Sequence, residues 1–232
     1  MTMRTFAPAA AAVEEDWLRR GARSLWSRAP WVLAASAPVL AVAVMAGWLS
    51  GGRLLVAAPV AGFAGAPFLV ALAIVAQRLV LDGEVRARDL RVPGWAGAVA
   101  VLWTATAAVA LTLAAFEVYG RTGSAAALVP ALAGCVVAAH AVALAPSAVA
   151  LVLDRPRAPW RHVWVVALLA AARRPVPVLG GWVAAALLGR LALQLQALLL
   201  VVPGVAAVVL VSAAWTALGG LGVMPSRHTS QD

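Results

Sequence analysis

The sequence predicts an all-α fold, a polytopic transmembrane helix bundle of about six spans with short interfacial helices, and three observations predict it. Hydrophobic residues fill 64% of the 232 positions and charged ones only 12%, with a mean hydropathy of +0.94, far from the balance of a water-soluble domain. The charged residues are gathered into short segments, and the apolar stretches between them run to about 20 residues, enough helix to cross a hydrocarbon layer about 30 Å thick. All the basic residues are arginines, and most lie in the links between apolar stretches, the placement that orients membrane helices.

Before the first span, Leu18, Ala22, Leu25 and Trp26 recur at helical spacing among Glu15, Asp16, Arg19, Arg20 and Arg23. This predicts an amphipathic helix on the membrane surface, supported by acid-first i,i+4 pairs. The segment is long and acidic for a signal-peptide n-region, so the first span is expected to remain as an anchor. Span one is read over 31–49, with Trp31 and Trp48 about 26 Å apart along a helix, suited to two aromatic belts. Four residues, 50–53, then lead into span two, 54–77, where Pro59 and Pro67 predict kinks whose freed carbonyls need other donors.

The link 78–94 carries Asp82 with Arg86 and Glu84 with Arg88, a spacing that predicts a short solvated helix. Span three is read over 95–119 and the turn-rich loop over 120–124. Span four, 128–153, holds Pro130, His140 and Pro146. The apolar run 163–172, flanked by Arg157, Arg161, Arg173 and Arg174, is too short to cross and predicts an interfacial or re-entrant helix. Spans five, 176–193, and six, 197–221, meet near Arg190, Gln194 and Gln196, where the apolar character barely drops. The resulting organisation is an N-terminal segment over 1–28, a six-span domain over 29–222 and a tail over 223–232.

Placing both termini in the cytoplasm of a bacterial plasma membrane puts 15 arginines inside and leaves Arg53, Arg121 and Arg190 outside, the bias that insertion responds to. The formal charge of +9 therefore points to the lipid bilayer as partner. Nucleic acid is not expected, because no continuous basic face forms. Cys135 is the only cysteine, so an internal disulfide and a cysteine-rich metal site are excluded and no cofactor is expected.

Ionisable groups within spans are the natural candidates for function, since charge at mid-membrane costs at least a few kcal/mol. His140 in span four reads either as a relay or as a neutral ring bonded to a carbonyl or hydroxyl. Glu117 stands four residues before Arg121, and Arg190 four before Gln194; the first spacing suits a surface ion pair, and the second pair could line a vestibule or snorkel to the interface. Small residues at four-residue intervals, Ala43, Gly47, Gly51 and Gly181, Ala185, Gly189, permit close helix crossing within the bundle or in a homo-oligomer. The sequence holds no HExxH, GxSxG or Walker A lysine, so no enzyme is expected.

Two stretches carry a family resemblance. One is 59–68, PVAGFAGAPF, running through 71–80 into the charged link; the other extends from Ala145 and Pro146 through Asp154, Trp160, Arg161 and His162 to Arg173, Arg174 and Pro175. Together they resemble the YesL-like family of small bacterial membrane proteins of unknown function, over about 18–220. The chain departs from that pattern after span two, where Asp89, Leu90, Arg91, Val92 and Pro93 replace the usual aromatic and basic residues. The resemblance implies an accessory or regulatory component of a carbohydrate uptake system of the ATP-binding-cassette type, with a membrane transporter or sensor as partner. The residues alone also allow a small-solute permease built on the proline-kinked spans two and four, with His140 and Arg190 along its path.

Overall fold

The structure, a computed structural model, describes residues 28–86, 90, 92–195 and 198–223. Seven helices are present among them: α1 Ala29–Leu49, α2 Leu54–Leu81, α3 Trp95–Thr122, α4 Ala125–Asp154, α5 Trp160–Arg173, α6 Pro175–Gln194 and α7 Val202–Gly219. All but α5 are long and apolar enough to cross a membrane. The amphipathic helix expected within 1–28 and the tail beyond Val223 lie outside the described residues.

Local chemistry sets the helix ends. α1, α6 and α7 each carry a proline in the first turn, where a missing N–H breaks no bond. The α1–α2 turn needs Gly51 (φ 58°) and Gly52 (φ 78°) in the left-handed region. Between α3 and α4 only Gly123 and Ser124 intervene: the Gly123 N–H donates to the Tyr119 carbonyl at 2.8 Å, and Ser124 accepts from the Ala126 N–H. The loop expected over 120–124 is therefore shorter, because one residue closes α3 and the next opens α4.

α2 runs past Gln77 to Leu81, where Arg78 pairs with Asp82 at 3.0 Å. The short helix expected in the link is absent over 84–86, which take no regular structure. There Arg86 pairs with Glu84, two residues away, at 3.0 Å; Arg88 lies outside the described residues.

α5 has 14 residues, about 21 Å of helix and too short to cross. It buries Val163, Ala167 and Ala170, a face at i, i+4 and i+7, against α4 and α7. Trp160 meets Trp164 edge to face at 5.9 Å. α6 ends at Gln194 and α7 begins at Val202, which divides the final apolar stretch into two crossings. α7 packs against α1, α2, α4, α5 and α6, and Trp215 and Leu218 on it are wholly enclosed.

Two carbonyls close to in-helix prolines accept from indoles on neighbouring helices. Pro67 cannot bond the carbonyl four residues earlier, and the Trp103 indole of α3 donates to that carbonyl, Phe63 O, at 3.0 Å. Beside Pro146, Trp182 of α6 donates to Ala143 O at 3.4 Å. Close helix approaches occur at Gly62 on Thr106, Gly97 on Val152, Gly134 on Thr112 and Gly204 on Val32 and Ser36. Of the glycines in the predicted small-residue series, only Gly181 meets a neighbouring helix, at Ala213, whereas Gly47, Gly51 and Gly189 face open space. Regular spacing permits a crossing, but the partner helix chooses where it falls.

Burial divides α2, α3 and α4 into two halves. The half next to the arginine-rich links encloses Ala66, Val70, Leu72, Ile74 to Gln77, Leu79 and Val80 on α2, Ala98, Val99 and Val101 on α3, and Leu144 to Leu153 on α4, apart from Pro146. The half next to the short turns leaves Leu55, Val56, Leu111, Val129, Leu132, Val136 and Val137 exposed. Exposed apolar side chains are stable there because lipid tails are as apolar as they are.

Candidate functional site

The polar residues singled out within the spans do not converge. His140 is exposed on α4, its Nδ1 2.7 Å from Val136 O; a carbonyl only accepts, so Nδ1 is the protonated nitrogen in this contact. Arg121 donates twice to Glu117 Oε1, at 2.7 and 3.0 Å, in an exposed ion pair on α3. Arg190 and Gln194 are exposed on α6. None of His140, Arg190, Gln194 and Glu117 lines either cavity walled by α2 and α4.

A polar cleft forms instead at the arginine-rich end of α2 and α4. A cavity of about 270 Å³ is bounded by Ile74, Gln77, Arg78 and Leu81 of α2, Val92 and Pro93 of the link, and Leu153, Asp154 and Pro156 at the end of α4. Gln77 is 8% exposed, and its Oε1 has no hydrogen-bond partner among the described residues. A buried amide oxygen left so carries the full cost of its desolvation. The Asp154 side chain is 6% exposed and lies 3.5 Å from Arg155 Nε, so the adjacent guanidinium offsets much of the cost of burying that charge. Arg78, 15% exposed, is engaged by Asp82.

Pro93 and Pro156 are shared with a wider groove of about 790 Å³ whose wall adds Arg155, Arg157, Ala158, Pro159 and His162. The inner cavity thus holds Gln77, Arg78 and Asp154, and Arg155, Arg157 and His162 stand in the wall of the wider groove. The placing of the inner cavity follows from helix length. α2 runs a turn past its predicted end at Gln77, and Gln77 and Arg78 share a cavity wall with Leu153 and Asp154 at the end of α4.

Reading the sequence for charges inside spans missed Gln77 and Asp154, since both stand at span ends and pass for link residues. The signal present was that both ends belong to the same side of the bundle, each followed at once by an arginine.

A second cavity of about 210 Å³ lies between α2, α3, α4 and α6, lined by Ala58, Gly62, Leu69, Thr106, Val109, Val142, Ala145 and Trp182, among others. Its wall is apolar except for the Thr106 hydroxyl and the Trp182 indole, which is directed to Ala143 O.

Fold and composition define a multi-pass integral membrane protein of the helix-bundle class. Comparison with models of known families, with curated proteins and with solved structures finds no match.

Proposed function

We propose that the chain is a non-enzymatic accessory or regulatory membrane component, associated with a carbohydrate uptake system of the ATP-binding-cassette type, and that its arginine-rich end faces the cytoplasm and docks the partner. The observation that carries this reading is where the exposed charge sits. Arg155, Arg157, Arg161 and Arg173 are exposed around α5, on the side where α2, α3 and α4 are most tightly packed. A rigid platform bearing unburied guanidinium groups suits recognition of an acidic surface, because little ordering is required on docking. The association with carbohydrate uptake rests on the resemblance of 59–80 and 145–175 to the YesL-like pattern.

The test is a photo-crosslinking residue at position 157 in native membranes. The expected product joins the chain to the permease subunit of such a transporter, and repeated recovery of the chain alone overturns the reading.

A small-solute permease is supported by one observation, the cavity between the proline-containing helices α2 and α4. Under that reading Ala58→Phe, which fills the cavity wall, abolishes flux in reconstituted vesicles without lowering membrane abundance. Under the accessory reading vesicles show no flux to abolish.

A further inference from the structure

The cavity between α2, α3, α4 and α6 runs along the spans and not across them. On α2 its wall passes from Ala58 through Gly62 to Leu69, positions i, i+4 and i+11 on one face of the helix and about 16 Å along its axis. On α3 it takes Leu102, Ala105, Thr106 and Val109, again one face, at i, i+3, i+4 and i+7. Small residues keep the wall concave: a Cβ at Gly62 would meet the Thr106 side chain, and Ala105 of α3 and Ala145 of α4 are buried. α6 packs chiefly on α7 and only lightly on α4, with the Trp182 indole reaching Ala143 O at 3.4 Å. Ala58 and Leu69 are exposed, so the crevice opens on the outer surface of the bundle.

We infer that this crevice holds one acyl chain of a bilayer phospholipid, lying parallel to the helices. Water does not fill it, because each buried water needs about two to four polar partners, and the wall offers the Thr106 hydroxyl and an indole N–H already given to a carbonyl. A polar solute meets the same shortage. A helix from another chain, about 10 Å across, does not enter a cavity of about 210 Å³. An unbranched hydrocarbon chain fits its length and its chemistry, and the surrounding bilayer supplies one, since the wall belongs to membrane-crossing helices. In lipid no hydrophobic gain favours one apolar surface over another, so the preference comes from the number of contacts: a concave wall touches a chain on several sides, a convex helix face on one. An occupied crevice leaves no path for a solute, so the inference stands against the permease alternative and is independent of the accessory reading.

The test uses the purified full chain in nanodiscs of phosphatidylcholine carrying a diazirine at the middle of one acyl chain, with photolabelled residues mapped by peptide mass spectrometry. Val109 lines the crevice and is half-buried; Leu111, two residues on and on the opposite face of α3, is 73% exposed at nearly the same depth. Lipid that merely coats the bundle labels Leu111 more than Val109. A chain held in the crevice reverses that order, with Val109 labelled about fivefold more than Leu111, the ratio that about ten additional carbon–carbon contacts supply. Ala58→Phe and Val142→Phe, each placing a ring in the crevice wall and checked for unchanged thermal unfolding, should return Val109 below Leu111 and leave Leu111 as it was. Labelling of Val109 at or below the level of Leu111 in the unaltered chain overturns the proposal, and so does an enrichment that survives the two substitutions. No protein partner enters the experiment, so either outcome leaves the accessory reading standing.

Discussion

The two halves of α2, α3 and α4 are built from the same residue types and packed differently. On α4 the run from Ala125 to Ala143 and the run from Leu144 to Leu153 are both Ala, Val and Leu with occasional proline, yet the second is almost wholly enclosed and the first largely exposed. What distinguishes them is company. α7 packs on α4, where Ala213 and Ala214 line one small cavity with Pro146 and Ser147, and α5 lays its small-residue face on the end of α4. In lipid there is no penalty for leaving a leucine outside, so burial records where helices find complementary shapes and not where the chain is most apolar.

The largest test of this contrast is truncation. Leu79→Ala, wholly enclosed on α2, should cost about 2–5 kcal/mol of unfolding free energy in bicelles, while Leu111→Ala, 73% exposed, should stay within about 0.5 kcal/mol. Equal losses would break the comparison. Overpacking is next: Gly94→Ala places a methyl against the Val152 carbonyl and should cost about 1–3 kcal/mol, whereas Gly189→Ala, with nothing within 4 Å, should be neutral or slightly stabilising as helix propensity improves.

The kink offers a finer test. Trp103→Phe orphans the Phe63 carbonyl and should cost about 0.5–1.5 kcal/mol. In a Pro67→Ala background the loss should shrink, because the new backbone N–H can take that carbonyl; an unchanged loss in the double-mutant cycle would assign the effect to packing. The smallest effect is expected at Ser212, whose buried hydroxyl has no partner among the described residues. Ser212→Ala should be neutral or gain up to about 1 kcal/mol, read from the same unfolding curves.

The spans were legible because crossing a membrane is a local requirement: an apolar run either is or is not long enough, and Gly51, Gly52, Gly123 and Ser124 mark their turns in the residues themselves. The end of α6 at Gln194 and the start of α7 at Val202 were faint because leucines and valines continue the apolar run on both sides. The short interfacial α5 was readable from a ten-residue apolar stretch between arginines. The helix expected in the link was misjudged over 84–86, where i,i+4 spacing alone cannot repay the cost of nucleating so short a helix.

By itself, then, the sequence determined an all-α membrane bundle, the number of crossing helices and, to within a turn or so, where they begin and end, since hydrophobic length, capping and proline placement act within a few residues of one another. Only the tertiary structure decided which half of each helix is enclosed, which glycines meet a neighbour, and that Gln77, Arg78 and Asp154 wall one cleft while His140, Glu117, Arg190 and Gln194 stand apart. Those outcomes depend on contacts between helices distant in sequence. In a solvent that tolerates any apolar face, shape complementarity between those helices sets them, and no periodicity within a single span encodes it.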